Sequence, residues 1–146
     1  MQRCMRLSLQ YLPYYNGRIS ERPNDTLPMP IFDVFNGDAD GICALHQLRL
    51  AEPTDSELVT GPKRDISLLK RVNAQAGDRV TVLDIALSKN REALDRLLEA
   101  GAQVRYFDHH QPGDIPVHPN FEPHIDTDAN VCTSLLVDRH LQGKHR

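Results

Sequence analysis

The sequence predicts an α/β fold, an open three-layer sandwich in which helices cover both faces of a mainly parallel sheet. Short runs of β-branched and aromatic residues alternate with longer segments in which apolar residues recur every three or four positions. These are the patterns of buried strands and amphipathic helices. Their alternation is typical of strand–helix–strand units, whose right-handed crossovers keep neighbouring strands parallel.

The predicted elements have simple boundary signals. Asp65 and Ser88 are predicted to cap helices, and Gly101 to end one. Helical spacing predicts that Ile42 and Ile66 face inward. In chain order we predict a strand at 31–35, a helix at 41–50, a strand at 57–60, a helix at 65–72, a strand at 79–84, a helix at 88–100, a strand at 103–107 and, after a proline-rich loop, a helix at 131–141.

One domain accounts for most of the chain. Residues 1–30 combine prolines and tyrosines without a helical or strand period, so we expect a poorly ordered leader. Met29 would then be an alternative start of the chain. The domain at 31–146 is long enough for one core and too short for two ordinary domains.

Composition narrows the functional classes. A net charge of −3 gives no global basic field for nucleic acid. Cys4, Cys43 and Cys132 lie far apart and form no C-x-x-C pair, so neither a disulfide framework nor a zinc knuckle is indicated. No secretory segment occurs, and nothing approaches the roughly 20 apolar residues of a membrane span. We therefore expect a cytoplasmic protein without a membrane partner.

Three predicted strands end on residues that bind divalent metals. Asp38 and Asp40 follow the first strand, and Asp84 ends the third. The fourth ends at 108–110, Asp-His-His. Because ligands bind beyond the carboxyl ends of parallel strands, we expect these side chains to meet in one crevice. Carboxylates suit magnesium or manganese, and histidine beside a carboxylate suits borderline metals.

Each acid also has an ordinary structural interpretation. Asp38 or Asp40 can cap the following helix, with Gly37 and Gly41 making the turn. Asp84 can simply cap a turn at the end of its strand. For the residues 108–110 metal binding is the favoured interpretation, because core packing does not require two adjacent histidines there.

Together, these motifs resemble the first three motifs of the DHH phosphoesterase superfamily. They are the sequence Asp-x-Asp-Gly at 38–41, the strand-end Asp84 and Asp-His-His at 108–110, and the likeness covers roughly 31–141. The superfamily includes RecJ-type exonucleases, oligoribonucleases, cyclic-dinucleotide phosphodiesterases and family II pyrophosphatases. The resemblance implies a Rossmann-like DHH domain and a metal-dependent phosphoesterase acting on a phosphodiester, a nucleotide or a small phosphate ester.

The resemblance also implies two bound manganese or magnesium ions. Asp38 and Asp84 would hold the first ion. Asp40, Asp84 and His109 would hold the second, so that Asp84 bridges the two. Such a pair of cations can activate a shared hydroxide and neutralise the charge that develops on a phosphoryl group.

The remaining predicted site residues face the substrate. By resemblance, His110 would contact the substrate phosphate and Asp108 would orient the histidines. Lys63 and Arg64 follow the second strand and would bind a phosphate of a small molecule or short oligonucleotide, unless they are ordinary solvated loop charges. The histidines outside the motifs are expected on the surface or in packing roles; they are His118, His124, His140 and His145.

The sequence departs from the family pattern in two places. Asn36 stands where the family usually has histidine, so the first ion would have a weaker ligand there. The resemblance places a fourth-motif aspartate, and in many members a second domain, after the last predicted helix, so we expect this sequence, which runs to Arg146, to lack both. Asp126 and Asp128 come too early for that motif and are expected to cap the last helix. We therefore expect a C-terminally truncated domain that is a marginally stable monomer or a homodimer.

Two alternatives remain at this point. The chain could be a truncated or degenerate DHH domain that binds metal without turnover, which the missing fourth motif and Asn36 favour. It could instead be a haloacid-dehalogenase-like phosphatase with an aspartyl nucleophile. That second alternative leaves His109 and His110 unexplained.

Overall fold

The computed structural model describes residues 29–62 and 64–144, which form five strands, three α-helices and a short 3₁₀ helix. None of these helices is long and apolar enough to cross a membrane. The predicted leader, apart from Met29 and Pro30, lies outside the described residues, as do Lys63 and His145. The elements are β1 (Ile31–Asn36), α1 (Ala39–Ala51), β2 (Glu57–Gly61), the 3₁₀ helix (Leu68–Arg71), β3 (Arg79–Leu83), α2 (Leu87–Glu99), β4 (Gln103–Asp108), β5 (Phe121–Ile125) and α3 (Thr133–His140).

All five strands form one parallel sheet in the order β2-β1-β3-β4-β5. The register sets Val34 opposite Val82, and Val82 opposite Tyr106. The predicted α/β open sandwich is therefore confirmed. In a doubly wound sheet of this order the chain changes direction between β1 and β3, and ligands bind beyond the carboxyl ends of the strands at that switch point.

The sheet has a separate apolar core on each face, because side chains of consecutive strand residues point to opposite faces. The larger core packs β1, β3 and β4 against α2 and the 3₁₀ helix, around Val34, Val82 and Tyr106. The smaller core packs the opposite face against α1 and α3, around Phe35 and Phe107. Helices α1 and α3 therefore lie together on one side of the sheet.

The sequence prediction missed β5, which pairs with β4 at the edge of the sheet. Its residues 121–125 contain Pro123, and proline is a loop signal because it cannot donate a backbone hydrogen bond. Proline is tolerated in edge strands, where one side of the strand has no partner. The segment therefore forms a strand although its composition is typical of a loop.

Several predicted helix details were wrong. The segment 65–72 forms only a 3₁₀ helix at Leu68–Arg71, and the Asp65 carboxylate accepts a hydrogen bond from the Arg71 guanidinium instead of capping it. Ile42 and Ile66 are 50% and 54% exposed rather than inward-facing. Ser88 lies inside α2, which begins at Leu87 without a side-chain cap. These local signals were overridden by the way the segments pack on the sheet.

Candidate metal centre

The turn between β1 and α1 holds Asp38, and Asp40 follows in the first turn of α1. Asp38 caps α1, since its Oδ1 accepts the backbone N–H groups of Asp40 at 3.1 Å and Gly41 at 3.3 Å. A Cβ at Gly37 would lie 2.5 Å from the Gly61 carbonyl oxygen, and one at Gly41 would lie 2.2 Å from the Asn36 carbonyl oxygen. The capping role foreseen for Asp38 is therefore confirmed, and both glycines are required by close backbone approach.

Asp84 lies just beyond β3 in an unusual backbone conformation. Its φ of 59° is in the left-handed region, and its side chain is only 3% exposed. The backbone N–H donates to the Phe107 carbonyl oxygen at 3.0 Å. On the carboxylate, Oδ2 accepts the Asn36 amide at 3.1 Å and Oδ1 accepts the Thr133 hydroxyl at 3.1 Å. The acid is thus held from two other elements, β1 and α3.

Asp40 reaches from the first turn of α1 to the start of α3. Its Oδ2 accepts the N–H of Thr133 and its Oδ1 the N–H of Ser134, both at 2.8 Å. The first N–H groups of a helix have no partner within that helix, and a carboxylate there is also favoured by the helix dipole. Asp40 therefore both caps α3 and faces the crevice.

The caps predicted for α3 were wrong. The residue at the N-cap position is Cys132, which makes no side-chain capping hydrogen bond. Asp126 accepts hydrogen bonds from the Asp128 N–H at 3.0 Å and from Arg139 at 3.3 Å, and Asp128 accepts from the Asn130 N–H at 2.8 Å. Both acids stabilise the preceding loop rather than the first turn of the helix.

The two histidines after β4 complete the cluster. His109 Nε2 lies 3.4 Å from Asp84 Oδ1 and 3.9 Å from Asp40 Oδ2. His110 Nδ1 lies 2.6 Å from Asp108 Oδ1. Asp84, His109 and His110 each offer a ligand atom, and these atoms lie within 4.8 Å of one another. One metal ion can therefore contact all three residues.

Asp108 lies behind the cluster. It is fully buried, and its second oxygen, Oδ2, has no hydrogen-bond partner among the described residues. Burial raises the pKa of Asp108, although the hydrogen bond with His110 opposes that shift. A carboxylate bound to the Nδ1 of a histidine fixes the orientation of the ring. This geometry is compatible with the orienting role expected of Asp108 toward His110.

Like charges crowd the centre. Burial first, and then the carboxylates of Asp40 and Asp38, raise the pKa of Asp84 to about 6. Burial also opposes the ionisation of Asp40, but hydrogen bonds from Ser134 and Thr133 outweigh it and hold the pKa of Asp40 below its usual value. A bound cation would relieve the repulsion among these acids, and perturbed carboxylates in a crevice are typical of functional sites.

These groups line a pocket of about 510 Å³. Six of the seven positions predicted as ligands or catalytic residues are among its walls, and Asp108 is not; the six are Asn36, Asp38, Asp40, Asp84, His109 and His110. Cys43, Cys132 and Ser134, which the sequence analysis did not assign to the site, also line it. Arg64 is exposed and is not among the lining residues, and Lys63 lies outside the described residues.

Two histidines outside the motifs have packing roles, as predicted. His124 stacks on Phe107 with ring centroids 4.4 Å apart, and His140 meets the same ring edge-on at 5.2 Å. Neither residue lines the pocket with the acids. The histidine chemistry of the crevice therefore comes from His109 and His110.

In comparisons with known proteins, no family model matched this sequence and no curated protein matched it significantly. The resemblance to DHH phosphoesterases therefore stays a prediction from the three sequence motifs.

Proposed function

We propose that this protein is a metal-dependent phosphoesterase that hydrolyses a phosphodiester, a nucleotide or a small phosphate ester. The observation that carries the proposal is the meeting of Asp40, Asp84 and His109, which come from three separate segments: the first turn of α1, the residue just beyond β3 and the residue just beyond β4. His109 Nε2 lies 3.4 Å and 3.9 Å from carboxylate oxygens of the two acids. Oxygen and imidazole ligands in one open crevice suit manganese or magnesium.

The residues divide into two overlapping groups around Asp84. Asp38 and Asp84 would hold the first cation, and Asp40, Asp84 and His109 would hold the second. Bound cations would supply an activated water molecule and would neutralise charge on the phosphoryl group. Asp84 is suited to the shared position because its two oxygens face different elements, one toward Asn36 and the other toward Thr133 and His109.

His110 and Asp108 would act on the substrate side. The hydrogen bond between His110 Nδ1 and Asp108 Oδ1 favours a proton on Nδ1 and fixes the ring. The other ring nitrogen, Nε2, is then available to a metal ion or, when the ring is protonated, to a phosphate oxygen. The side chain of His110 is 43% exposed, so a substrate can reach it without rearrangement of the core.

A metal-binding domain without turnover is the second candidate, and the position of Asn36 favours it. The Asn36 amide donates to Asp38 Oδ2 at 3.4 Å and to Asp84 Oδ2 at 3.1 Å. The Asn36 amide therefore bridges the two acids that would hold the first cation. Its hydrogen bonds already stabilise part of the negative charge that the cation would neutralise. In that case the second cation alone would bind.

Manganese-dependent hydrolysis of bis-p-nitrophenyl phosphate tests the proposal. We expect turnover that requires Mn²⁺ or Mg²⁺ and that is abolished in Asp84→Ala and in His109→Ala, because each substitution removes a ligand. Asp114→Ala, which alters an exposed acid outside the pocket, should retain wild-type turnover.

The other outcomes separate the alternatives. Mn²⁺ binding without turnover would support the second candidate. A phosphate group trapped on Asp38 would indicate an aspartyl nucleophile and would contradict metal-activated water as the nucleophile. Absence of metal binding by the wild-type chain would contradict both candidates.

A further inference from the structure

Thr133 contacts two acids that are far apart in the sequence. Its backbone N–H donates to Asp40 Oδ2 at 2.8 Å across 93 residues. Its hydroxyl donates to Asp84 Oδ1 at 3.1 Å across 49 residues. One residue at the start of α3 is therefore bonded to a carboxylate from the first turn of α1 and to another just beyond β3.

The hydroxyl contact has no ready substitute. The side chain of Thr133 is fully buried, so solvent does not reach the bond it makes to Asp84. The acceptor, Asp84 Oδ1, is the same oxygen that lies 3.4 Å from His109 Nε2. The other oxygen of Asp84 is held by Asn36, on the opposite side of the carboxylate. Without the hydroxyl, the Asp84 carboxylate could rotate away from His109.

We propose that Thr133 is a positioning residue of the metal centre, whose hydroxyl aims Asp84 Oδ1 at the cation shared with His109. The proposal rests on the metal site of the proposed function, but it does not depend on turnover. Removal of a group that orients a metal ligand in this way typically lowers metal affinity by about 10- to 100-fold.

The two contacts of Thr133 can be separated by substitution. Thr133→Val replaces the hydroxyl with a methyl group of nearly the same shape. It keeps the backbone N–H that donates to Asp40 Oδ2. Thr133→Ser keeps the hydroxyl and loses only a methyl group. The pair therefore distinguishes the positioning bond from the packing of this buried side chain.

The experiment measures the dissociation constant of Mn²⁺ for the full chain by electron paramagnetic resonance. We expect Thr133→Val to bind Mn²⁺ about 10- to 100-fold more weakly than wild type, and Thr133→Ser to restore most of that affinity. Thr81→Val is the matched control, because Thr81 is another buried threonine whose hydroxyl contacts Arg49 rather than an acid of the centre. It should bind Mn²⁺ as wild type does. If the valine variant does not fold, Thr133→Ala takes its place.

Each outcome decides the proposal. Equal affinities in wild type, Thr133→Val and Thr133→Ser would overturn it and leave the phosphoesterase proposal standing. An equal loss of Mn²⁺ affinity in the valine and serine variants would show that the packing of this side chain, not its hydroxyl, supports metal binding, and would also overturn the proposal. The expected ranking in a chain that binds Mn²⁺ but hydrolyses nothing would support the role of Thr133 and contradict the phosphoesterase. A wild-type chain that binds no Mn²⁺ would overturn both.

Discussion

Asp84 is the residue on which most of the proposed chemistry depends. It is 3% exposed, and its neighbours include the carboxylates of Asp38 and Asp40, which help to raise its pKa to about 6. Its backbone φ is 59°, a value that residues other than glycine, asparagine and aspartate rarely adopt. A buried acid beside two others destabilises the metal-free fold. That cost is typical of a residue retained for binding rather than for stability.

Substitution of Asp84 should therefore stabilise the protein while it destroys the metal site. The pKa of about 6 in the folded state exceeds the usual 3.8. The folded state thus binds more protons, and the contribution of Asp84 to stability falls as pH rises from about 4 to 6 and remains lost above pH 6. Asparagine carries no charge and tolerates the left-handed conformation. In metal-free buffer at pH 8, we expect Asp84→Asn to raise the free energy of unfolding by about 1 to 3 kcal/mol, since one pKa unit corresponds to about 1.4 kcal/mol.

Denaturant unfolding with EDTA at pH 5 and pH 8 measures this effect. The advantage of Asp84→Asn should shrink at pH 5, where Asp84 of the wild type is mostly neutral. Added Mn²⁺ should stabilise the wild type and leave the variant unchanged, because only a folded state with the ligand gains from binding. A stability difference between Asp84→Asn and wild type that is the same at pH 5 and pH 8 would contradict the electrostatic explanation.

Helix α3 is bonded to two acids of the candidate centre, Asp40 and Asp84. It packs on α1 and on the smaller core through Val137, and its first two N–H groups are bound by Asp40. The larger core, on the other face of the sheet, includes Val80 near the amino end of β3, away from the acids. The position of α3 should therefore affect metal binding, whereas packing on the opposite face should not.

A matched pair of core substitutions tests this difference. Val137→Ala and Val80→Ala each remove two methyl groups from a side chain that is at most 1% exposed, so each should cost roughly 2 kcal/mol of stability. Calorimetric titration with Mn²⁺ should show weaker binding in Val137→Ala and unchanged binding in Val80→Ala. Equal affinity in the two variants would show that α3 does not position the acids.

The elements also show what could be predicted from the sequence. The strands β1, β3 and β4 and the acids at their ends were predictable, because buried apolar runs identify parallel strands and the carboxyl ends of such strands share one edge. The bonds from Asp40 and Asp84 to α3 were not, because they join residues 93 and 49 positions apart and depend on how helices pack. Thr133 itself carries no local sequence signal that separates it from an ordinary first residue of a helix.

At the scale of the whole molecule, the centre lies at the switch point between β1 and β3, where a doubly wound sheet opens a crevice. A second pocket, of about 450 Å³, lies near the amino ends of the strands. Two ion pairs lie there: Arg49 Nη2 is 2.6 Å from Asp33 Oδ1, and Arg105 Nη2 is 2.7 Å from Glu52 Oε2. The acids of the candidate centre therefore lie beyond the carboxyl ends of the strands, and these two ion pairs lie near the amino ends.

The most direct test of the metal centre is a crystal structure of the full chain grown with Mn²⁺, with anomalous diffraction data collected at the manganese edge. We predict an anomalous peak in the pocket within bonding distance of Asp84 and His109, next to Asp40. Crystals in which that pocket holds no manganese at millimolar Mn²⁺, or in which the ion binds elsewhere on the molecule, would contradict the assignment of these three residues to a metal site.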